Sequence, residues 1–354
     1  MKFYHGGDLV SYAEKHGGEK ALDFSSNVNP FGITNGIADA AEAAIDELSI
    51  YPDPYCRELR TALSGKYGLP ADWFYCGNGA ADVIYRIAAA VKPLSALVTA
   101  PTFSEYEASL EAAVPDCSVK RFTLNESEGF RVTDSILEEI DAEDTVYICN
   151  PNNPTGVLTS VELLLEIAGK CKLLVADECF IEFTEEQPTL LPYLAEFPNV
   201  MVLRSFTKMF AIPGVRLGYC VCSDNELIDK LYSSGPPWNV SAFAQKIGAA
   251  AAADTDYIED KVRKYIAKQR GFLTMCFKNI GLTVVESSAN YLLIKSEHDL
   301  QAGLESKGIL IRSCDDYSGL SPGYYRIAIR REEENLRLIA AIMEIKGKKK
   351  WLRQ

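Results

Sequence analysis

The 354-residue sequence lacks the features that mark membrane, secreted and repetitive proteins. No stretch approaches the ~20 consecutive apolar residues of a membrane-spanning helix, and polar residues occupy the beginning of the chain where a secretory leader would be apolar. Internal repeats and low-complexity tracts are absent as well. We therefore expect a globular protein of the cytoplasm, in which the 47% hydrophobic residues form a large core.

Positive charge is scarce in this sequence. Its 36 lysine and arginine residues face 49 aspartates and glutamates, which gives a formal net charge of −13. This balance argues against a nucleic-acid-binding surface, and the single basic run at 346–350 is typical of a solvated helix end. An anionic substrate would therefore need cations placed locally around it.

The ten cysteines are scattered and form no CxxC pair. No histidine cluster lies near them, so the spacing excludes common zinc sites and thioredoxin-like redox motifs. Reduced thiols of a cytoplasmic protein are the simpler interpretation. We expect no metal site.

Apolar, β-rich runs alternate with helical patterns through the first two thirds of the chain. The runs lie at 96–99, 145–149, 173–176, 200–204 and 218–222, and helical patterns lie at 80–91, 160–171 and 226–233. Such alternation predicts an α/β fold with a mostly parallel central sheet. Ligands of such sheets bind at the carboxyl ends of the strands.

The pattern changes after the turn-rich segment GPPWNV at 235–240. A helical region at 242–279 follows, then short strands at 283–285, 291–295, 309–312 and 325–329, and a helix at 332–345. This second part predicts a smaller α+β domain. We expect an irregular N-terminal arm at 1–30 that packs with the small domain and the substrate site, a large cofactor-binding domain at 31–240, and the small domain at 241–354.

Lys208 lies just past an apolar strand, in the segment SFTKMFAIPGVR at 205–216. A lysine among apolar and aromatic residues can have a lowered pKa and form an imine with an aldehyde, although a lysine in a loop can also simply extend into solvent. Ser205 and Arg216 flank it and supply a hydroxyl and a guanidinium that could converge on one phosphate.

Asp177 ends the buried run 173–176. A carboxylate in this place could hold the ring nitrogen of pyridoxal 5'-phosphate (PLP) in its protonated form, which makes the cofactor an electron sink. A helix cap or a magnesium ligand would explain the same residue.

Two further loops follow predicted strands. The segment NPNNPTG at 150–156 forms a rigid turn, from which Asn153 could donate to the 3'-oxygen of the pyridine. The segment CGNGAAD at 76–82 opens a helix whose N–H groups could bind a phosphate. Asp82 stands where a dinucleotide-binding motif has its third glycine, which counts against a dehydrogenase.

These motifs in this order resemble the aspartate-aminotransferase superfamily, fold type I of the PLP enzymes, over nearly the whole chain. The resemblance implies a PLP-dependent transferase (aspartate aminotransferase-like) fold, with Lys208 as the Schiff-base lysine and Asp177 at the pyridine nitrogen. Asn153 would contact the 3'-oxygen and Phe103 would stack on the ring. Tyr51 would reach in from the other subunit of a homodimer. The residues implied at the cofactor phosphate are Gly79, Ala80, Ala81, Ser205 and Arg216.

Within this superfamily, the chain is similar to the branch of histidinol-phosphate aminotransferases and threonine-phosphate decarboxylases. The segments HGGD at 5–8, DFSSNVNPFG at 23–32 and GPPWNV at 235–240 resemble the decarboxylases, which serve cobalamin side-chain synthesis. Phe180 also resembles them, because aminotransferases of this branch usually carry a tyrosine whose hydroxyl contacts the 3'-oxygen. A residue of the hydrophobic core is the alternative interpretation of Phe180.

The resemblance implies an anionic substrate pocket. Arg326 resembles the arginine that binds the substrate carboxylate. A guanidinium and a carboxylate are both planar and can form two parallel hydrogen bonds. Arg312 resembles the one that binds a substrate phosphate, and His5 and Asn29 complete the pocket. Either arginine could also be an ordinary surface cation.

We therefore expect a PLP enzyme that acts on a phosphorylated amino acid, foremost as a decarboxylase of L-threonine O-3-phosphate. A histidinol-phosphate-type aminotransferase that uses 2-oxoglutarate is the alternative, since both reactions need the same residue types. A regulator that senses PLP usually needs an attached DNA-binding domain, for which this chain has no segment left.

Overall fold

The computed structural model of the chain describes residues 6–253 and 256–347. Its strands are β1 Leu22–Asp23, β2 Phe74–Gly77, β3 Ser95–Ala100, β4 Ser118–Thr123, β5 Thr145–Cys149, β6 Leu173–Asp177, β7 Val200–Ser205, β8 Gly218–Val221, β9 Thr283–Val284, β10 Tyr291–Lys295, β11 Ile309–Leu310, β12 Arg312–Ser313 and β13 Tyr324–Ala328. Its α-helices are α1 Leu9–Lys15, α2 Asn35–Ala43, α3 Arg57–Tyr67, α4 Ala80–Val91, α5 Glu105–Ala113, α6 Ile136–Glu139, α7 Val161–Ala168, α8 Phe206–Met209, α9 Asn225–Ser233, α10 Ala242–Ala253, α11 Asp256–Asn279, α12 Leu300–Glu305 and α13 Glu332–Ile345.

A seven-stranded sheet forms the centre of the molecule, in the order β2-β8-β7-β6-β5-β3-β4. Every residue of β5, β6 and β7 is buried, as expected of strands that are covered by helices on both faces. Strand β8 runs antiparallel to both of its neighbours, and the other pairs are parallel. The predicted α/β fold with a mostly parallel sheet is confirmed.

The direction of β8 decides which residues meet at one edge of this sheet. Because β2 and β7 are each antiparallel to β8, they run parallel to the remaining strands and end at the same edge. The first residue of β8, Gly218, pairs there with the last residues of β2 and β7, Gly77 and Ser205. The segment that precedes β8 therefore joins the carboxyl ends of the other strands, where ligands of α/β sheets bind.

A second, four-stranded antiparallel sheet has the order β12-β13-β10-β9. Helices α11 and α13 pack against this part of the chain. The strand predicted at 309–312 is two short strands, because β11 pairs in parallel with β1 whereas β12 pairs with β13. The first thirty residues, expected to be irregular, contain both α1 and β1.

The predicted helical region at 242–279 is two helices, α10 and α11, and α10 packs against α2 and α3. The predicted domain boundaries stay predictions. Among the described helices, none combines the length and the apolar character that crossing a membrane would require.

Candidate active site

Lys208 lies in the short helix α8, directly after β7. Ser205 caps this helix by accepting a hydrogen bond from the Thr207 N–H at 3.2 Å, and its hydroxyl lies 2.7 Å from the Thr207 hydroxyl. The Lys208 ammonium lies 5.8 Å from the centre of the Phe180 ring. Burial, followed by the positive charge of Arg326, lowers the pKa of Lys208 to about 8. The side chain is therefore much closer to its reactive, neutral form than an ordinary lysine.

Asp177 ends β6, the strand next to β7, and only 5% of its surface is exposed. Its carboxylate accepts hydrogen bonds from the Tyr106 hydroxyl at 2.7 Å and from the Cys179 N–H at 2.9 Å. Both donors are neutral, so this buried charge is suited to a cationic ligand atom. Among the described residues, no group of three or more histidine, cysteine, aspartate or glutamate side chains is arranged to hold a metal ion.

Tyr106 was missed by the sequence analysis. It lies in the first turn of α5, three residues after Phe103, and its ring contacts the Phe103 ring edge to face at 5.7 Å. The available signal was its closeness in the chain to Phe103, which directly precedes Ser104, the N-cap of α5.

The N-terminus of α4 and Arg216 form one cationic cradle. Gly79 is the N-cap of α4 with a φ of +86°, and Ala80 and Ala81 are the first helical residues. A Cβ atom on Gly79 would lie 2.5 Å from Nη2 of Arg216, so the guanidinium lies directly against this turn. The first N–H groups of a helix have no acceptor within the helix. Together with Arg216, they form a site suited to a phosphate.

Asn153 and Arg326 are joined by a hydrogen bond. Nη1 of Arg326 donates to Oδ1 of Asn153 at 2.6 Å, and Nη2 donates to the carbonyl of Ser25 at 2.8 Å. The bond orients the amide and leaves Nδ2 as the donor of Asn153. Arg326 is 7% exposed, and its Nε has no hydrogen-bond partner among the described residues. An unpaired buried donor of this kind is suited to an anionic ligand.

Arg312 is the cross-strand partner of Arg326. The two residues lie directly opposite each other in β12 and β13, so their side chains leave the same face of the sheet. Nη2 of Arg312 donates to Oδ2 of Asp316 at 2.7 Å, and Nη1 donates to the carbonyl of Ser313. The Arg312 guanidinium also lies 5.2 Å from the centre of the Tyr317 ring. The structure thus brings the two predicted substrate arginines together.

Phe180 lies beside Lys208 and packs against the ring of Tyr291. The two rings meet edge to face with centres 5.1 Å apart, and the Tyr291 hydroxyl donates to the carbonyl of Asn152 at 2.9 Å. Phe180 is buried and presents no hydroxyl to the site. Tyr291 is a second residue that the sequence analysis missed, because nothing in the segment around it distinguishes it from other strand residues.

Asn29 contacts the backbone of the lysine segment. Its backbone N–H donates to the Lys208 carbonyl at 3.0 Å, and its amide donates to the Met209 carbonyl at 2.9 Å and accepts from the Phe31 N–H at 2.9 Å. These contacts hold α8 in place. A contact between Asn29 and the substrate stays a prediction.

Tyr51 is the predicted site residue that lies on the surface of this chain. Its side chain is 84% exposed and packs against Trp238, with ring centres 5.3 Å apart. Its predicted role in the site of a partner subunit stays a prediction. His5 lies outside the described residues.

The chain is similar in sequence and in fold to known proteins. The family model for aminotransferase class I and II matches residues 19–342. The chain belongs to this family. It is 37% identical to the threonine-phosphate decarboxylase of Salmonella typhimurium (96% of either chain covered), and 32% identical to the histidinol-phosphate aminotransferase of Halalkalibacterium halodurans (92% of this chain, 89% of the relative). The solved histidinol-phosphate aminotransferase of Clostridium acetobutylicum matches with a TM-score of 0.85 and 29% identity over 92% of this chain and 99% of its own.

The comparisons confirm the predicted family and the predicted fold. Pyridoxal phosphate is the cofactor of this family, and the chain is an enzyme whose relatives are decarboxylases and aminotransferases.

Proposed function

We propose that this chain is a PLP-dependent decarboxylase of a phosphorylated amino acid, with L-threonine O-3-phosphate as its foremost substrate. The observation that carries the proposal is the register of β12 and β13, which places Arg312 directly opposite Arg326. Two guanidinium groups on one face of a sheet match a small substrate that carries both a carboxylate and a phosphate.

The residues of the site fit the cofactor. Lys208 would hold its aldehyde carbon, Asp177 its ring nitrogen and Asn153 its 3'-oxygen, and Phe103 would stack on the ring. When bound, PLP withdraws the electron pair that is left when a bond to the substrate Cα breaks. The residues that would hold its phosphate are Gly79, Ala80, Ala81, Ser205 and Arg216.

The remaining chemistry belongs to the side chains of this chain. Arg326 and Arg312 would fix the two anionic ends of the substrate and so decide which bond to Cα breaks. Lys208, with its lowered pKa, is suited to exchange a proton at Cα. Phe180, which is buried and packs against Tyr291, would exclude water from one side of this position.

Two observations favour decarboxylation over transamination. The decarboxylase relative is more similar to this chain than the aminotransferase relative, at 37% against 32% identity. Phe180 also gives the site no hydroxyl beside the expected 3'-oxygen. A histidinol-phosphate-type aminotransferase is the second candidate, because solved aminotransferases share the fold. The proposed reaction would serve cobalamin side-chain synthesis in the cytoplasm.

A pair of assays separates the two candidates. Purified protein loaded with PLP is incubated with O-phospho-L-threonine, and released carbon dioxide is measured. A second reaction contains histidinol phosphate and 2-oxoglutarate, and glutamate is measured. The proposal predicts carbon dioxide in the first reaction and little glutamate in the second, and the reverse pattern would refute it.

We further propose a homodimer in which Tyr51 completes the site of the partner subunit. Tyr51 packs against the exposed Trp238 ring, and three further exposed apolar side chains, Ile45, Leu48 and Ile50, come shortly before it in the chain. Exposed apolar side chains that cluster on a surface mark an interaction site. Mixing inactive Lys208→Ala and Tyr51→Ala proteins under subunit exchange should restore activity, since each mixed dimer contains one complete site. If mixing restores nothing, Tyr51 does not act across subunits.

A further inference from the structure

Asp316 forms an ion pair with the guanidinium of Arg312 in this structure. It lies four residues after Arg312 in the connection between β12 and β13, and its Oδ2 accepts from Nη2 of Arg312 at 2.7 Å. The Arg312 side chain is 12% exposed, and the Tyr317 ring covers it. The group that is proposed to bind the substrate phosphate therefore already has an anionic partner.

The positive charges near Asp316 favour a carboxylate at this position. Arg312 and Arg326 lie side by side, and two neighbouring guanidinium groups repel each other when no substrate lies between them. Asp316 offsets this repulsion. A phosphate that approached Arg312 would meet the Asp316 carboxylate, and like charges at contact distance disfavour each other.

The connection that carries Asp316 also contacts the large sheet. A Cβ atom on Gly319, which has a φ of +86°, would lie 2.9 Å from the carbonyl oxygen of Ala100 at the end of β3. Between these elements lies a cavity of ≈ 230 Å³, and Asp316 and Tyr317 line it together with Phe103, the residue expected on the cofactor ring. If the Asp316 side chain moves away from Arg312, this cavity offers space for it beside the proposed site.

We propose that Asp316 is an internal competitor of the substrate phosphate: it holds Arg312 between turnovers and must be displaced when the phosphate binds. This inference rests on the proposed function, because it takes Arg312 as the phosphate-binding residue. Asp316 is thus a positioning residue. It keeps Arg312 in place in the absence of substrate, and it weakens the binding of every phosphate ligand at Arg312, which favours release of a phosphorylated product.

The test measures the binding of inorganic phosphate to the PLP-loaded protein by titration calorimetry. Loaded protein is used because its cofactor phosphate site is already filled. Asp316→Asn removes the charge and keeps the shape, and should tighten phosphate binding about tenfold, which corresponds to about 1.4 kcal/mol. Asp316→Ala should tighten binding in the same direction and serves as the second variant.

Asp315→Asn is the matched control. It removes the same charge one residue earlier, but the Asp315 carboxylate accepts from the Gly323 N–H at 3.1 Å. Its phosphate affinity should equal that of the unchanged protein. Equal tightening in both variants, or no tightening in either Asp316 variant, would overturn the inference.

Arg312→Gln separates this inference from the proposed function. If phosphate binding is lost in Arg312→Gln but is not tightened by the Asp316 variants, Arg312 is the phosphate site and only the role of Asp316 is wrong. If Arg312→Gln leaves phosphate binding unchanged, the proposed substrate site itself is wrong, and the inference falls with it.

Discussion

Lys208 becomes reactive through its surroundings. An amine attacks an aldehyde only in its neutral form, and burial, followed by the charge of Arg326, lowers the pKa of Lys208 to about 8. The neutral fraction therefore rises as the pH passes through 8 and levels off above it, whereas an ordinary lysine, with a pKa of ~10.4, would continue to gain neutral amine up to higher pH.

The pH dependence of cofactor uptake tests this argument. When PLP is added to cofactor-free protein, the rate of the absorbance change should reach half of its limiting value near pH 8. Arg326→Gln removes a cation that lowers the pKa, so its midpoint should lie at higher pH. A midpoint above pH 10 in the unchanged protein would show that the lysine is not perturbed.

Tyr106 is expected to support Asp177. In Tyr106→Phe, the buried carboxylate loses the donor at 2.7 Å, so kcat should fall about tenfold and the free energy of unfolding by about 2 kcal/mol, a value typical of a hydrogen bond to a charged group. Steady-state kinetics and denaturant unfolding measure these two quantities.

Tyr147→Phe is the matched control for that prediction. The Tyr147 ring stacks on Tyr106 at 5.5 Å, but its hydroxyl has no hydrogen-bond partner among the described residues. Removing the hydroxyl should leave kcat unchanged and should not lower the stability. Equal losses in the two variants would mean that ring packing, and not the bond to Asp177, matters.

At the scale of elements, the turn between β2 and α4 leaves no space for a side chain at Gly79. Gly79→Ala would place a methyl group 2.5 Å from the Arg216 guanidinium and impose a φ of +86° on an alanine. The dissociation constant of PLP should therefore rise more than tenfold, as measured by spectroscopic titration of cofactor-free protein.

Gly68→Ala separates backbone strain from loss of the cradle. Gly68 has a φ of +67°, and no atom lies within 4 Å of an added Cβ. Its substitution should cost about 1 to 2 kcal/mol of stability through the left-handed conformation alone, with PLP affinity unchanged. If Gly68→Ala weakens PLP binding as much as Gly79→Ala does, the cradle formed by the N-terminus of α4 and Arg216 does not bind the cofactor phosphate.

The elements that the sequence predicts well are those with local signals. Strands β5, β6 and β7 are continuous apolar runs, and their ends locate Lys208, Asp177 and Asn153 because parallel strands end at one edge. No local sequence pattern predicts that β8 runs antiparallel to its neighbours. This direction depends on pairing with β2, which lies more than 140 residues earlier, and it is what brings Arg216 to the site.

The contacts of side chains were harder to predict. The sequence predicts Arg312 at the substrate, but the ion pair of Arg312 with Asp316 depends on the turn after β12, and its pairing with Arg326 depends on strand register. Register follows from the pattern of buried residues across several strands. A one-residue slip would move either arginine to the other face.

At the scale of the whole molecule, the site joins two sheets and an N-terminal segment. Asp177 ends a strand of the seven-stranded sheet, Lys208 lies in the helix α8 that follows the neighbouring strand, and Arg326 belongs to the four-stranded sheet. The hydrogen bond from Arg326 to Asn153 links these two parts of the chain. The carbonyl of Ser25 also accepts from Arg326. The proposed catalytic and substrate-binding groups therefore come from distant parts of the chain, and their geometry depends on the complete fold.

The central claim is that Lys208 is the residue that binds the cofactor covalently. The most direct measurement is borohydride reduction of the PLP-loaded protein, followed by proteolysis and mass spectrometry of the peptides. We expect one reduced pyridoxyl group, located on the peptide that contains Lys208. A pyridoxyl group on another lysine, or a Lys208→Ala protein that retains full activity, would contradict it.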